Sequence, residues 1–291
     1  MIEETIRKAA VLIEALPYIQ QFRGTTMVVK FGGSAMEDKA HSEAILTDLT
    51  FLSCVGIRPV VVHGGGKAIS ASMREAGIEA RFVKGLRVTC ERTIALVEKV
   101  MRHEINPGIV DMINARGGRA TGVPGQEIFH VTKKQGHDPG TGEQFDWGFV
   151  GEPKEVETEQ VLALLEEGVI PVITPLGLGE DGLPHNINAD TAAAALARKL
   201  KANKLVFLTD VPGLLRDFDD PRSVLSSLAV AEVEELIERK VIDGGMLPKV
   251  QGGVEALEGG VEKVHIVDGR VLHSMLLEIF TDTGVGTQIV S

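Results

Sequence analysis

Apolar residues change their period several times along the chain. Ile2, Ile6, Ala9, Ala10, Ile13 and Leu16 recur at helical spacing with charges between them, which predicts a helix over 2–22 that Pro17 kinks or breaks. This helix precedes the first strand and has no strand pair to cover, so a partner subunit and its own domain both stay open as its packing surface. From residue 26 the pattern switches. TMVVKF (26–31) reads as a buried strand, 37–55 as a helix, RPVVVH (58–63) as a second buried strand and 67–76 as a helix. Residues 80–88 read as extended with a turn at Lys84-Gly85. Ile94, Val97, Met101 and Ile105 share one face of a long helix over 91–115, which Pro107 bends or splits. Over 117–156, strand-like pieces alternate with Gly/Pro turns and a polar DPGTGEQ loop, a β-rich excursion. Helices then follow over 158–167, 190–200, 230–240, 246–257 and 274–280. Strands are expected over 169–174, 204–208, 263–267 and 287–290.

Strands that alternate with helices imply βαβ crossovers. The expected fold is α/β, a three-layer αβα sandwich with a central, mainly parallel sheet and an extra N-terminal helix. A break near Gly168 suggests two lobes on one continuous sheet, divided as 1–24 (N-terminal helix), 25–175 (N-lobe) and 176–291 (C-lobe).

Composition narrows the function. The 33 glycines gather at the ends of apolar runs, which predicts sharp strand–helix turns. A net charge of −11 argues against nucleic acid and anionic membrane surfaces as partners, so an anionic metabolite would need locally concentrated positive charge. Cys54 and Cys90 lack metal-ligand spacing and read as free thiols of a reducing, cytoplasmic compartment. The N-terminal stretch lacks the continuous apolar segment of a secretory leader, and no run approaches 18 apolar residues. No protein-held metal is expected.

Two motifs fail on inspection. VVVHGGGKAIS (60–70) offers Gly66-Lys67, but Val61 stands where a P-loop needs its first glycine and Ala68 where it needs a hydroxyl. GLGEDG (177–182) spells a dinucleotide fingerprint, but it follows Pro175 and leads into LPHNINAD rather than running from strand to helix, so it reads as a glycine-rich turn. What recurs is a strand followed by glycines: KF-Gly32-Gly33-S and H-Gly64-Gly65-Gly66. Such turns let backbone N–H groups approach an anion, and two in sequential parallel strands meet at one sheet edge. Lys30 ends its strand so as to reach that crevice. Asn186 and Asn188 share a side if HNINAD is extended, with Asp190 at the helix start as an N-cap candidate. Lys249 lies early in a helix, against the dipole, where a phosphate partner would favour it. Lys67 reads as a surface residue and His63 as a packed, hydrogen-bonded structural histidine.

In order and spacing, KFGGS, VVHGGGKAIS, KGLRVT, NINAD, LTDVPGLL and GGMLPKV resemble the amino acid kinase family over nearly the whole chain. They are most similar to the members that phosphorylate the γ-carboxylate of N-acetyl-L-glutamate in the second step of arginine biosynthesis, and the ends of the chain, ALPYIQQF and HSMLLEIFTDTGVGTQI, resemble the arginine-inhibited branch of these. The resemblance implies that Lys30 and Lys249 bracket the transferring phosphoryl group and that Asp190 orients both. Gly32, Gly33, Gly64 and Gly65 would donate to phosphoryl or substrate oxygens, Arg87 would clamp a substrate carboxylate, and Asn186 with Asn188 would hold the acetamido-glutamate. Asp210, Val211, Pro212, Gly213, Leu214 and Leu215, with Gly244, Gly245 and Met246, would hold ATP, which brings its own Mg²⁺. Tyr18, Lys204, His265, Glu278 and Gly284 would bind regulatory L-arginine. The N-terminal helices would interlace homodimers into a homohexamer, while docking of a PII signalling protein stays open. The alternatives are a glutamate, aspartate, carbamate or uridylate kinase, or a catalytically silent amino-acid sensor on the same scaffold. The DPGTGEQFDWGFVGEP segment, with Trp147, is longer and more aromatic than the family pattern leads one to expect, and reads as a lid or an edge decoration.

Overall fold

The computed structural model describes residues 2–137, 144–217, 220, 222–281 and 284–291. In chain order the N-terminal part runs α1 (Ile2–Phe22), β1 (Thr26–Phe31), α2 (Ser34–Glu37), α3 (Lys39–Cys54), β2 (Arg58–His63) and α4 (Gly66–Glu75). A short hairpin follows, β3 (Phe82–Val83) and β4 (Leu86–Arg87), then α5 (Glu91–Val100), α6 (Asn106–Asn114) and β5 (Ala120–Val123). Next come β6 (Phe129–His137), β7 (Gln144–Val156), α7 (Glu159–Glu166), β8 (Ile170–Ile173), β9 (Leu176–Gly179), β10 (Pro184–Asn186) and α8 (Ala189–Leu200). The chain ends with β11 (Lys204–Thr209), β12 (Ser227–Ala229), α9 (Val233–Glu238), α10 (Leu247–Glu258), β13 (Lys263–Asp268), α11 (Ser274–Ile279) and β14 (Thr287–Val290).

Eight strands form one sheet in the order β12-β14-β13-β11-β1-β2-β8-β5, parallel except where β14 runs against β13. The period-2 alternation of the buried strands sorts their side chains onto two cores. Val28, Val60, Val62, Leu205 and Phe207 pack against α7, α8 and α10, while Met27, Val29, Phe31, Val61 and Val206 pack against α3, α6 and α11. Both faces are therefore covered, as the apolar runs required. Because β2 and β11 flank β1 on opposite sides, the chain reverses its direction of winding at β1, and a crevice opens beyond the carboxyl ends of these strands.

Several details depart from expectation. The helix over 2–22 continues through Pro17 rather than breaking. Ile13, whose carbonyl loses its partner there, is exposed, so water can replace the bond. The long helix over 91–115 is split as Pro107 led one to expect, but by a π turn at Met101–Ile105, with Pro107 entering the first turn of α6. The missing Pro107 N–H forbids the ordinary bond to the His103 carbonyl, and the wider π turn carries the chain past that gap. GLGEDG is a hairpin rather than only a turn: β9 pairs antiparallel with β10, and both join β6 and β7 in a closed four-stranded barrel. The polar DPGTGEQ loop lies, over 138–143, outside the described residues. The edge strand β12 was not anticipated; it has only three residues.

Candidate active site

Lys30 shares its face of β1 with Val28, so its side chain points toward α8. Its Nζ lies 3.1 Å from Asp190 Oδ1. Lys249, in the first turn of α10, donates from Nζ to Asp190 Oδ2 at 2.9 Å and to the Gly245 carbonyl at 3.3 Å. Asp190 is 5 % exposed and Lys30 9 %. Burial pushes the Asp190 carboxyl up, but the two ammonium groups outweigh it and hold the group below the usual carboxylate range. One carboxylate thus bridges two lysines, and the cluster carries one net positive charge.

Local sequence chemistry sets this arrangement. Asn188, not Asp190, is the N-cap of α8, and its Oδ1 accepts from the Asp190 and Thr191 N–H groups at 2.9 and 3.1 Å. The cap expected of Asp190 is supplied two residues earlier, which frees the Asp190 carboxylate for the lysines. At position 32, an added Cβ would meet Lys30 Nζ at 3.0 Å and Cε at 3.1 Å. Glycine there makes room for the lysine to fold back over its own strand end. Gly33, at φ 66°, turns the chain into α2. Gly64 sits against Gly32, and its N–H donates to the Phe31 carbonyl at 2.7 Å. Gly65 precedes α4 as its N-cap, and a Cβ there would meet Ile105 Cδ1 at 2.9 Å. His63 is fully buried with Nδ1 donating to the Gly64 carbonyl at 2.9 Å; burial pulls its pKa down to about 4, so it is a neutral structural ring.

Two cavities meet at the Asp190 cluster. The first, about 640 Å³, is lined by Lys30, Gly33, Gly64, Gly65, Arg87, Asn186, Asn188 and Asp210 among others. The second, about 820 Å³, lies between α8, α10 and the β3–β4 hairpin and is lined by Gly244, Gly245 and Lys249. Asn188, Asp190, Gly85 and Leu86 belong to both walls. Arg87 is buried, and its burial lowers its pKa. Its Nη2 donates to the Gly66 carbonyl at 2.7 Å and Ser70 Oγ at 2.8 Å, and its guanidinium lies 4.6 Å from the Phe82 ring centre. Among the described residues no carboxylate is within ion-pair distance of Arg87. Phe82 and Ser70 were not singled out from the sequence, although Phe82 and Arg87 are cross-strand partners in a hairpin whose turn was legible. Val211, Pro212, Gly213, Leu214, Leu215 and Met246 line neither cavity. Leu214 is a core side chain whose N–H donates to Thr287 Oγ1 at 2.8 Å, and Leu215 pairs with Val224. Lys67, at the surface, pairs with Glu37.

Comparison with known proteins decides the relationship. Residues 25–268 match the model of the amino acid kinase family. The chain belongs to the amino acid kinase family. It is an enzyme of that family's acetylglutamate kinase type. It is 48 % identical over 295 residues to the acetylglutamate kinase of Heliobacterium modesticaldum and 50 % identical over 287 residues to that of Pelotomaculum thermopropionicum, covering 99 % and 97 % of both partners in each pair. Among solved structures, it resembles an N-acetylglutamate synthase of Neisseria gonorrhoeae complexed with coenzyme A and N-acetyl-glutamate (TM-score 0.84, 29 % identity). That match covers 97 % of this chain and 63 % of the synthase. The same synthase complexed with coenzyme A and L-arginine matches with a TM-score of 0.79 and 30 % identity, over 97 % and 65 %. The chain therefore spans a little under two thirds of those synthase chains. A carbamate kinase of Giardia lamblia shares the fold (TM-score 0.66, 16 % identity, 92 % of this chain and 98 % of that one).

The kinase carries a second ionic cluster under the end of α1. Glu278 Oε1 accepts from His265 Nδ1 at 2.6 Å, and Lys204 Nζ lies 3.3 Å from His265 Nε2. Burial, then Lys263, pulls the Lys204 pKa down to about 8. Glu278 Oε2 accepts from the Val285 and Gly286 N–H groups at 2.7 and 3.1 Å. Burial pushes Glu278 up, but His265 and these N–H groups hold it below the usual carboxylate range. Gly284, at φ 62°, leaves no room for a Cβ beside the Glu278 carboxylate. Tyr18 reaches the region through an edge contact with Phe280 at 6.3 Å, and Lys204 Nζ lies 4.7 Å from the Phe22 ring centre. Of the five residues expected to act together at this end, Lys204, His265, Glu278 and Gly284 meet in one cluster, and Tyr18 touches Phe280 beside it.

Proposed function

We propose that this kinase transfers the γ-phosphoryl group of ATP to the γ-carboxylate of N-acetyl-L-glutamate, forming N-acetyl-L-glutamyl 5-phosphate for arginine biosynthesis. The observation that carries the reading is an excess of sequestered positive charge. In a chain of net charge −11, Lys30, Lys249 and Arg87 face the two joined cavities with one buried carboxylate, Asp190, among them. Such a site favours anions, and two polyanions held in line are what phosphoryl transfer requires.

In this reading N-acetylglutamate fills the first cavity, with Arg87 taking one carboxylate and Asn186 and Asn188 the acetamido group. ATP enters with its own Mg²⁺ from the second cavity, along Gly244 and Gly245. The accepting γ-carboxylate has a pKa of about 4.3 and is already ionised at neutral pH, so no general base is needed. Lys30 and Lys249 neutralise charge on the transferring group from opposite sides while Asp190 fixes their ammonium positions. The Gly33 and Gly65 turns and the α4 N-terminus supply backbone donors, while the Gly64 N–H, expected to donate as well, is already given to the Phe31 carbonyl. Val211, Pro212, Gly213, Leu214, Leu215 and Met246, which line neither cavity, would act on ATP only through backbone groups or a rearranged loop, whereas Asp210 lines the first cavity.

The test is acyl-phosphate formation, trapped with hydroxylamine, using N-acetylglutamate beside glutamate, aspartate, carbamate and UMP. Turnover with N-acetylglutamate alone is expected. Preference for another acceptor, or no ATP consumption, would overturn the reading and favour a sister kinase or a silent sensor.

The cluster of Lys204, His265, Glu278, Gly284 and Tyr18 supports regulation by L-arginine, since Glu278 offers a carboxylate to a guanidinium. The exposed Ile2, Ile6, Val11, Leu12 and Ile13 of α1 support burial against a second copy, and hence a hexamer of interlaced dimers. Arginine that leaves turnover unchanged at saturation, or an oligomer whose size survives deletion of 1–22, would refute these two points. Among the described residues no helix is long and apolar enough to cross a membrane.

A further inference from the structure

Arg87 stands in a two-residue strand, β4, which cannot fix its own direction. The hairpin that carries it is tied instead to the stretch Phe145–Phe149 of β7. The Trp147 indole Nε1–H donates to the Val83 carbonyl at 2.9 Å, on the strand opposite Arg87. Lys84, at the hairpin turn, places Nζ 4.9 Å from the Phe145 ring centre. On the returning side, the Thr89 N–H donates to the Trp147 carbonyl at 2.8 Å and the Phe149 N–H to the Thr89 carbonyl at 2.7 Å. Thr89 Oγ1 in turn donates to the Arg87 carbonyl at 2.8 Å. The hairpin is therefore held on both arms by one aromatic stretch.

Trp147 fits this task in its packing. It is 4 % exposed although it stands in a flap, it leans on Phe145 at 5.8 Å, and Gly136 on the neighbouring strand leaves space for it. A Cβ at Gly136 would lie 2.5 Å from Trp147 Cη2. The indole of Trp147 is nearly out of water and has the Val83 carbonyl as its partner, so loss of its N–H would leave a half-buried acceptor unpaired.

We propose that Trp147 is a positioning residue for the acceptor substrate: it clamps the β3–β4 hairpin so that the Arg87 guanidinium faces the first cavity. The proposal rests on the reading of that cavity as the N-acetylglutamate site. It assigns to the aromatic flap a role in substrate affinity rather than in phosphoryl transfer, because Trp147 itself touches neither Lys30, Asp190 nor Lys249.

The experiment compares Trp147→Phe, which keeps a ring but loses the N–H, with Gly136→Ala, which displaces the indole from the other side. Steady-state kinetics, thermal melting and hydrogen exchange of the segment 82–89 are read on each. We expect KM for N-acetylglutamate to rise about three- to tenfold in both variants, the scale of one hydrogen bond with a group left unpaired. The expected kcat stays within about twofold, KM for ATP rises less than KM for N-acetylglutamate because the second cavity meets only the hairpin turn at Lys84–Leu86, and exchange over 82–89 accelerates. The proposal is overturned if both variants melt lower while KM for N-acetylglutamate and exchange over 82–89 stay as in the wild type, or if kcat and both KM values move together. If the wild-type kinase does not phosphorylate N-acetylglutamate, the reading of the cavity fails, and the exchange measurement alone then decides the clamp: unchanged exchange over 82–89 in both variants overturns it.

Discussion

The kinase contains two buried ionic clusters, one at the carboxyl end of β1 and one under the end of α1, and they are built differently. In the crevice, Asp190 serves two lysines, so the cluster ends with positive charge facing cavities on both sides. Under α1, Glu278 serves one imidazole, while the backbone N–H groups of Val285 and Gly286 satisfy its other oxygen and Lys204 stands behind the imidazole. The first is short of anions. The second is nearly complete and ties β13, α11 and the approach to β14 together. Buried charge is expensive unless paired, so a cluster left with surplus charge is a place to look for a ligand, and a closed one is first of all a structural lock.

The sharpest break would come in the crevice. Lys30→Ala is expected to lower kcat by on the order of 10²–10³ while KM for N-acetylglutamate changes a few-fold, the scale of losing one fixed charge at a developing anion. A kcat within tenfold of wild type would remove the claim that the surplus charge serves transfer. Asp190→Asn should act similarly on kcat, since both lysines lose the carboxylate that fixes them.

Glu278→Gln should invert that pattern. It leaves His265, which burial keeps a neutral donor, and two backbone N–H groups with a neutral acceptor, so unfolding should become easier by about 1–3 kcal/mol, the scale of hydrogen bonds to a charged group. Turnover without effector should stay within about twofold and any response to arginine should disappear. Lost basal turnover with an unchanged melt would mean that the lock reaches the chemistry.

His63 gives a smaller test of the same principle, because it is a buried ionisable group without a charged partner. Its folded pKa of about 4 lies below the ordinary 6.5, so the unfolded chain binds the extra proton between these values. Its stabilising contribution is complete above pH 6.5 and is lost as pH falls toward 4. His63→Gln should therefore flatten the fall in melting temperature over that window, by on the order of 1–3 kcal/mol. An unchanged pH dependence would show that other groups dominate it. The smallest effect is expected at Lys67→Ala. That lysine pairs with Glu37 at an exposed site, so less than about 1 kcal/mol and no change in kcat should follow, measured by melting and by turnover.

Much of this was legible because strand and helix periods are strong signals. β2 was delimited to the residue, and the two-sided apolar strands required helices on both faces. Misreadings arose where local chemistry has two solutions. Asn188 and Asp190 are both good N-caps, and only the fold shows that the first is used and the second released. Pro107 announced a disruption, but the sequence does not distinguish a bend from a π turn. GLGEDG has turn composition, yet barrel neighbours recruit its first part into a strand. The fold-back of Lys30 over Gly32 needed coordinates, because it depends on a 3 Å approach across two residues. Trp147 was noticed as a departure, while its partner, the Val83 carbonyl, has no signature in a sequence.

The π turn at Met101–Ile105 has a consequence for how this chain tolerates insertions and deletions. A π turn is one residue longer than the α turn it replaces. Deleting one residue there would take out that extra residue and leave α6 close to its present phase relative to α5. Deleting one residue inside the regular turns of α5 instead would rotate everything after it by about 100°. Ile109 and Ile113, now buried in the core beneath the sheet, would swing off their face, and Ile105 would leave its place beside Gly65. The same helix thus sets the phase between the wall of the first cavity and the central core, and the π turn is a place along it where a single-residue deletion keeps the two in step.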